Sequence, residues 1–143
     1  MTATLVKFTC PGHPITQGSK RAFVRNGHAT LVETGGDKLR LWRHVIATTA
    51  REATPDGPIA GPVQVHLWFH LERPASTPKR KRTWPIKARS GDVDKLARAA
   101  LDALTGVTFA DDAQVVRLVV EKDWADGRGP GVEVVVLPVR AEQ

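Results

Sequence analysis

The sequence predicts a single α+β domain, a mixed sheet of about four to five strands with two helices packed on it. Three observations carry that expectation. Two segments place apolar residues at helical spacing, one segment alternates strictly, and 143 residues suffice for one buried core but not for two ordinary domains.

In chain order, residues 5–9 read as a short strand, followed by the Pro/Gly-punctuated basic loop PGHPITQGSKRAF. Residues 23–33 read as a hairpin, because apolar residues alternate on either side of Asn26-Gly27, a dipeptide suited to a tight turn. Residues 37–53 read as the first helix: Leu41, Val45, Ile46, Thr49 and Ala53 recur at helical spacing, and Pro55 with Gly57 stops it. In residues 63–71, Val63, Val65, Leu67, Phe69 and Leu71 share one face of a half-buried strand.

The next stretch, ERPASTPKRKRTWPIKARSGD, has three prolines, seven Lys or Arg and no apolar period, so it reads as an exposed, mobile loop. Residues 92–104 follow as the second helix, with Val93, Leu96, Ala97, Ala100, Leu101 and Leu104 on its apolar side and Gly106 placed to end it. Two final strands, 114–123 and 131–139, are joined by the turn ADGRGPG. Trp42, Trp68 and Trp124 fall on regular elements and are expected in the core. Strand order is not readable from these patterns.

Charge narrows the partner. Lys and Arg outnumber Asp and Glu by 21 to 15, and a pI near 10.0 favours an anionic partner. One cysteine, Cys10, excludes an intramolecular disulfide and suits a reducing, cytoplasmic setting. No apolar run reaches the roughly 18 to 20 residues that span a bilayer, and MTATLVKFTCPGH lacks the apolar stretch of a signal peptide, so no membrane role is expected. Neither a Gly-x-Ser-x-Gly elbow nor a Gly-x4-Gly-Lys loop is present. His66 with His70, and Cys10 with His13, are incomplete as zinc sets.

Candidate chemistry gathers around the second helix. Asp92 and Asp94 begin it, and Asp111-Asp112 precede the next strand. Converging aspartates supply the hard oxygens that Mg2+ prefers, and such an ion can activate water and stabilise a leaving oxygen on a phosphodiester. Aspartates are also common helix caps and turn residues, and spacing does not choose between the two roles.

The run GDVDKLARAALDALTGVTFADDAQVVRLVVEK resembles the core of the RusA family of Holliday-junction resolvases. That family has an Asp-x-Asp helix start, Asp-Ala-Leu at the helix end, and Asp-Asp-x-Gln-Val before a strand ending near a lysine. More loosely, PITQGSKRAFVRNGHATLVE is similar to phage-encoded members. The resemblance implies a Mg2+-dependent endonuclease, with Mn2+ a possible substitute, that cuts branched DNA. It implies catalytic, metal-binding roles for Asp92, Asp94 and Asp112, with Asp111 accessory; Asp102, on the helix itself, reads as a surface or supporting residue rather than a metal ligand. It also implies a homodimer, which agrees with the two-fold symmetry of a four-way junction needing two nicks.

One departure matters. Where many members carry a catalytic lysine four residues after the second motif aspartate, this chain has Arg98, and Lys95 replaces the usual asparagine. Arginine stays charged while lysine can lose a proton, so Arg98 suits charge stabilisation and Lys95 suits proton transfer; Arg98 pairing with Asp94 or Asp102 is the structural alternative. Lys20, Arg21 and Arg25 in the first loop, and Lys79, Arg80, Lys81, Arg82, Lys87 and Arg89 in the second, are the expected phosphate-binding residues. Trp84 is placed to stack on a base or wedge into a branch. The rivals are a non-catalytic DNA-binding protein and a Mg2+ nuclease for simpler flaps.

Overall fold

The structure is a computed structural model describing residues 5–18, 21–32 and 36–140, with residues 21–23, 25 and 30–32 described by backbone alone. The elements run β1 (Val6–Pro11), β2 (Arg21–Arg25), β3 (His28–Val32), α1 (Gly36–Ala53), β4 (Val63–Leu71), α2 (Val93–Leu104), β5 (Val115–Trp124) and β6 (Gly131–Pro138). A four-stranded mixed sheet has the order β1-β6-β4-β5. β4 and β5 are parallel and the other neighbours antiparallel. The parallel pair is reached through α2, the kind of crossover that such a pair requires.

The hairpin of β2 and β3 stands apart as its own two-stranded sheet. Its turn uses Asn26 at φ 52° and Gly27 at φ 77°, left-handed at both central positions, which suits the twist of a two-residue hairpin. Glu33, the expected end of that hairpin, lies outside the described residues.

Period two in β4 is realised in full. Val63, Val65, Leu67 and Phe69 are completely buried, while Gln64, His66, Trp68 and His70 are half-buried on the opposite face. Both helices cover the first face: one core joins Leu39, Trp42 and Ile46 of α1 and Leu96, Ala100 and Leu104 of α2 to those strand residues and to Val132, Val134 and Val136 of β6. On α1 the buried stripe is Leu39, Trp42, Ile46 and Ala50, and Leu41, expected inside, is 64% exposed. The indole of Trp42 buries more apolar surface than a leucine, which turns the helix toward it.

Of the three tryptophans expected in the core, only Trp42 is there. Trp68 stacks on His66 across the open sheet face, with ring centroids 3.5 Å apart, and Trp124 lines a surface cleft. The segment 72–92 is largely exposed, as expected, but tied down. Arg73 bonds Asp126 and the Pro78 carbonyl, Arg82 bonds Asp123, and a single 3-10 turn, Ala88–Ser90, closes it.

Candidate active site

Gly91 sets the entrance to α2. Its φ of 86° is left-handed, and a Cβ there would lie 2.5 Å from Cγ2 of Thr16, so both backbone and space favour glycine. Lys122, near the end of β5, donates to the Gly91 carbonyl at 2.7 Å and to Ser90 Oγ at 3.1 Å, which ties the end of the basic loop to the sheet.

Asp92 occupies the N-cap position, yet its carboxylate makes no capping hydrogen bond. Instead it lies 3.8 Å from Lys95 Nζ and is 67% exposed. The cap explanation therefore fails for this side chain.

Beyond it, Asp94, Arg98, Leu101 and Asp102 follow one another along a single helical face and line a cleft of about 490 Å3, whose other wall is Asp112, Leu118 and Val120. The side chains of Asp94 and Arg98 form no hydrogen bond or ion pair among the described residues, so the alternative, a pairing of Arg98 with Asp94 or Asp102, is not made.

The two residues of Asp111-Asp112 divide their roles. Asp111 accepts from Ala113 N at 2.9 Å, and Gln114 Oε1 accepts from Ala110 N at 2.8 Å and Asp111 N at 3.1 Å, a reciprocal cap over the turn Asp112–Gln114. The Gln114 amide then donates to the carbonyls of Ile59 and Gly61, fixing that turn to the chain before β4. Asp112 is left facing the cleft. Its carboxyl titrates above the usual range, first through a hydrogen bond with Asp111, then through partial desolvation and the negative charges of Asp111 and Asp102.

Two supporting residues, Gln17 and Arg43, carried no sequence signal. Gln17 is 8% exposed; its amide donates to Asp102 and accepts from Arg43 at 2.9 Å, while its backbone N–H donates to the Lys95 carbonyl. Asp102 thus reaches the cleft from a helix surface and is steered by a residue far away in sequence. Only Lys122 had a signal, the lysine that closes the family-like strand.

In chemistry the cleft suits a divalent cation: its oxygens are hard, and Asp94 and Asp112 are not neutralised by lysine or arginine. Its carboxylates are spread rather than gathered. Asp94 and Asp102 are separated by about 12 Å of helix axis at 1.5 Å per residue, and no three His, Cys, Asp or Glu among the described residues sit close enough to hold an ion.

Among the expected phosphate-binding residues, Lys20 lies outside the described residues, and Arg21 and Arg25 are described by backbone alone. Lys79, Arg80, Lys81, Lys87 and Arg89 are exposed, and their side chains form no hydrogen bond or ion pair among the described residues. Arg82 differs. It grips Asp123 through two bonds of 2.8 and 2.9 Å and lies 4.2 Å above the ring of Trp84.

An acidic cleft beside a loop of unpaired cations defines a class of protein that can hold a polyanion and act on it through carboxylates. Similarity to known proteins makes that class specific. The family model "Endodeoxyribonuclease RusA" matches residues 11–137, most of the chain, and the chain belongs to that endodeoxyribonuclease family. It is also similar to "Uncharacterized protein YqaN" of Bacillus subtilis (strain 168), at 31% identity over 144 residues that cover 95% of this chain and 98% of that protein. Among the described residues, no helix is long and apolar enough to cross a membrane.

Proposed function

We propose that this chain is a Mg2+-dependent, structure-selective endonuclease that resolves four-way DNA junctions, as a homodimer making paired symmetric nicks. The observation that carries the reading is the cleft along α2, where Asp94 and an unpaired Arg98 on one wall share the lining with Asp112 on the other, beside the basic loop. Asp92, Asp94 and Asp112 would hold the metal, with Asp111 fixing the turn beneath Asp112. The ion, Mg2+ or in its place Mn2+, would supply an activated water and a counter-charge to the leaving oxygen. Arg98, always charged, would stabilise the phosphate in the cleft, and Lys95 beside Asp92 is the candidate for proton transfer. The unpaired cations of residues 79–89 would hold the arms of the junction. A cytoplasmic setting fits the lone Cys10.

A second reading, a basic DNA-binding protein without catalysis, is favoured by one observation, the spread of the carboxylates along the cleft. Incubation with a synthetic four-way junction, with and without Mg2+ or Mn2+, decides between them. Paired nicks that need the metal support the resolvase; tight binding without any nicking sinks it. Faster cutting of flaps than of junctions would favour a simpler branched-DNA nuclease.

A further inference from the structure

We propose that the cleft between the basic loop and the ends of β4 and β5 is a pocket for one unstacked nucleobase, belonging to the DNA strand whose phosphate enters the aspartate cleft. The proposal rests on the DNA-cutting function above and adds how a branch is told from plain duplex.

The cleft has a volume of about 620 Å3, and its lining includes Trp84, Ile86, Leu71 and Trp124. That volume lies within the range of small-ligand sites. Trp84 is 54% exposed and Ile86 80% exposed, large apolar surfaces that the fold itself does not bury. Trp84 is nevertheless braced. The guanidinium of Arg82 lies 4.2 Å from its ring centre, and the paired bonds from Arg82 to Asp123 fix that guanidinium to β5. Trp124 is fixed by its indole N–H, which donates to Thr83 Oγ1 at 3.0 Å. Both indoles line the cleft and each is held, so the cost of ordering them is met before any ligand arrives.

Charge complementarity selects the occupant. Lys87 and Arg89 also line the cleft, exposed and without an ion pair among the described residues, and Glu72, a carboxylate of the same lining, lies 3.9 Å from His13, so an apolar interior is joined to free cations. A nucleotide has that pairing of surfaces, a flat π-face joined to an anion, and stacking on an aromatic side chain tolerates any base. The hydroxyls of Thr77 and Thr83 in the same lining can meet the polar edge of a base.

Position supplies the link to the chemistry. The lining ends at Ser90, one residue before Gly91 and two before Asp92, and Lys122 bonds both Ser90 and Gly91. A base in this pocket therefore lies next to the Asp92 and Asp94 end of the aspartate cleft. In duplex DNA every base is stacked and paired and must be extracted at a cost; at a branch or in a single strand that cost is smallest. The pocket thereby favours branched and single-stranded DNA.

The test measures dissociation constants in EDTA for a four-way junction, a single strand and a duplex, using the full chain, W84A and W84F. A scan with abasic positions around the branch runs in parallel on the unaltered protein. Removal of one stacked base predicts junction and single-strand binding weaker by about 5- to 150-fold in W84A, with duplex binding unchanged and W84F near the unaltered protein. One abasic position should reproduce that weakening in the unaltered protein and add nothing in W84A. Equal weakening on all three DNAs, a flat abasic scan, or effects that add would each overturn the pocket. No turnover enters these readings, so they stand or fall apart from the metal-dependent nicking that tests the function.

Discussion

Two sets of aspartates border the same sheet edge and live in opposite electrostatic surroundings. Asp123 and Asp126 are gripped by Arg82 and Arg73, whose hydrogen bonds hold both carboxyls below the usual range. Asp112 faces other carboxylates and is pushed above that range. The first set is spent on tying down the basic loop. Asp112 instead shares a hydrogen bond with Asp111 and stands in the negative field of Asp111 and Asp102, surroundings that a cation would relieve. On the proposed function, the aspartates held by arginine serve architecture, while Asp94 and Asp112, which no lysine or arginine neutralises, belong to the site.

The sharpest way to break that contrast is to remove charge from each set in turn. Asp92→Asn, Asp94→Asn and Asp112→Asn should each abolish junction cleavage while junction binding survives, because the amide keeps the shape and removes the anion. Asp123→Asn should leave the nicking of bound junction largely intact, its effect falling on junction affinity through Arg82 and Trp84. Gel assays of nicking and binding on the same preparations check both. Near-normal nicking by any folded mutant of the first three would remove that residue from the site.

Arg98→Ala comes next. It should slow the chemical step by about 100-fold, the scale of removing one charge-stabilising donor, with little change in junction affinity. Single-turnover rates at saturating enzyme separate the two. A defect confined to affinity would make Arg98 a binding residue, and retention of rate by Arg98→Lys would support the charge-stabilising role.

The basic loop offers a graded test. Neutralising Lys79, Arg80 and Lys81 should flatten the slope of log affinity against log salt by about 0.9 for each duplex-arm phosphate that these side chains no longer neutralise. Adding Arg82→Gln should change the slope little, since its guanidinium is held by Asp123, but should disturb Trp84, which it braces. An unchanged slope after the first three substitutions would take the loop off the DNA.

The contrast also explains what was legible in the sequence. α2 and β4 were readable because each buries one face with an unbroken period, and the Asp-x-Asp and Asp-Asp positions were readable from a local pattern. α1 was misoriented because Trp42, not Leu41, decides which side turns inward. The separate hairpin and the order β1-β6-β4-β5 depend on pairings between distant segments that no local period encodes. Gln17 reaches Asp102 across 85 positions of sequence, and Arg82 reaches Asp123 across 41, so neither could be inferred from spacing.

The smallest expected effect concerns stability, and its sign is the most specific consequence of the contrast. A carboxyl whose folded-state pKa is raised contributes fully below its ordinary value of 3.8, and that contribution is lost as pH rises through the folded value. At neutral pH ionised Asp112 lacks that contribution, and Asp112→Asn, whose amide can keep a hydrogen bond to Asp111, should raise the melting temperature by about 1–3 °C, the scale of an exposed electrostatic change. The gain should vanish below the ordinary carboxylate value, where Asp112 is protonated in both states. Asp123 runs the other way: its lowered pKa means that its stabilisation is present above 3.8 and lost as pH falls through the lower folded value, so Asp123→Asn should reduce the melting temperature at neutral pH. Melting curves in EDTA across acid and neutral pH read both signs on one instrument. Should Asp112→Asn destabilise the protein at neutral pH as Asp123→Asn does, the two sets of aspartates would be alike, and the negative field at Asp112 could no longer be used to mark the site.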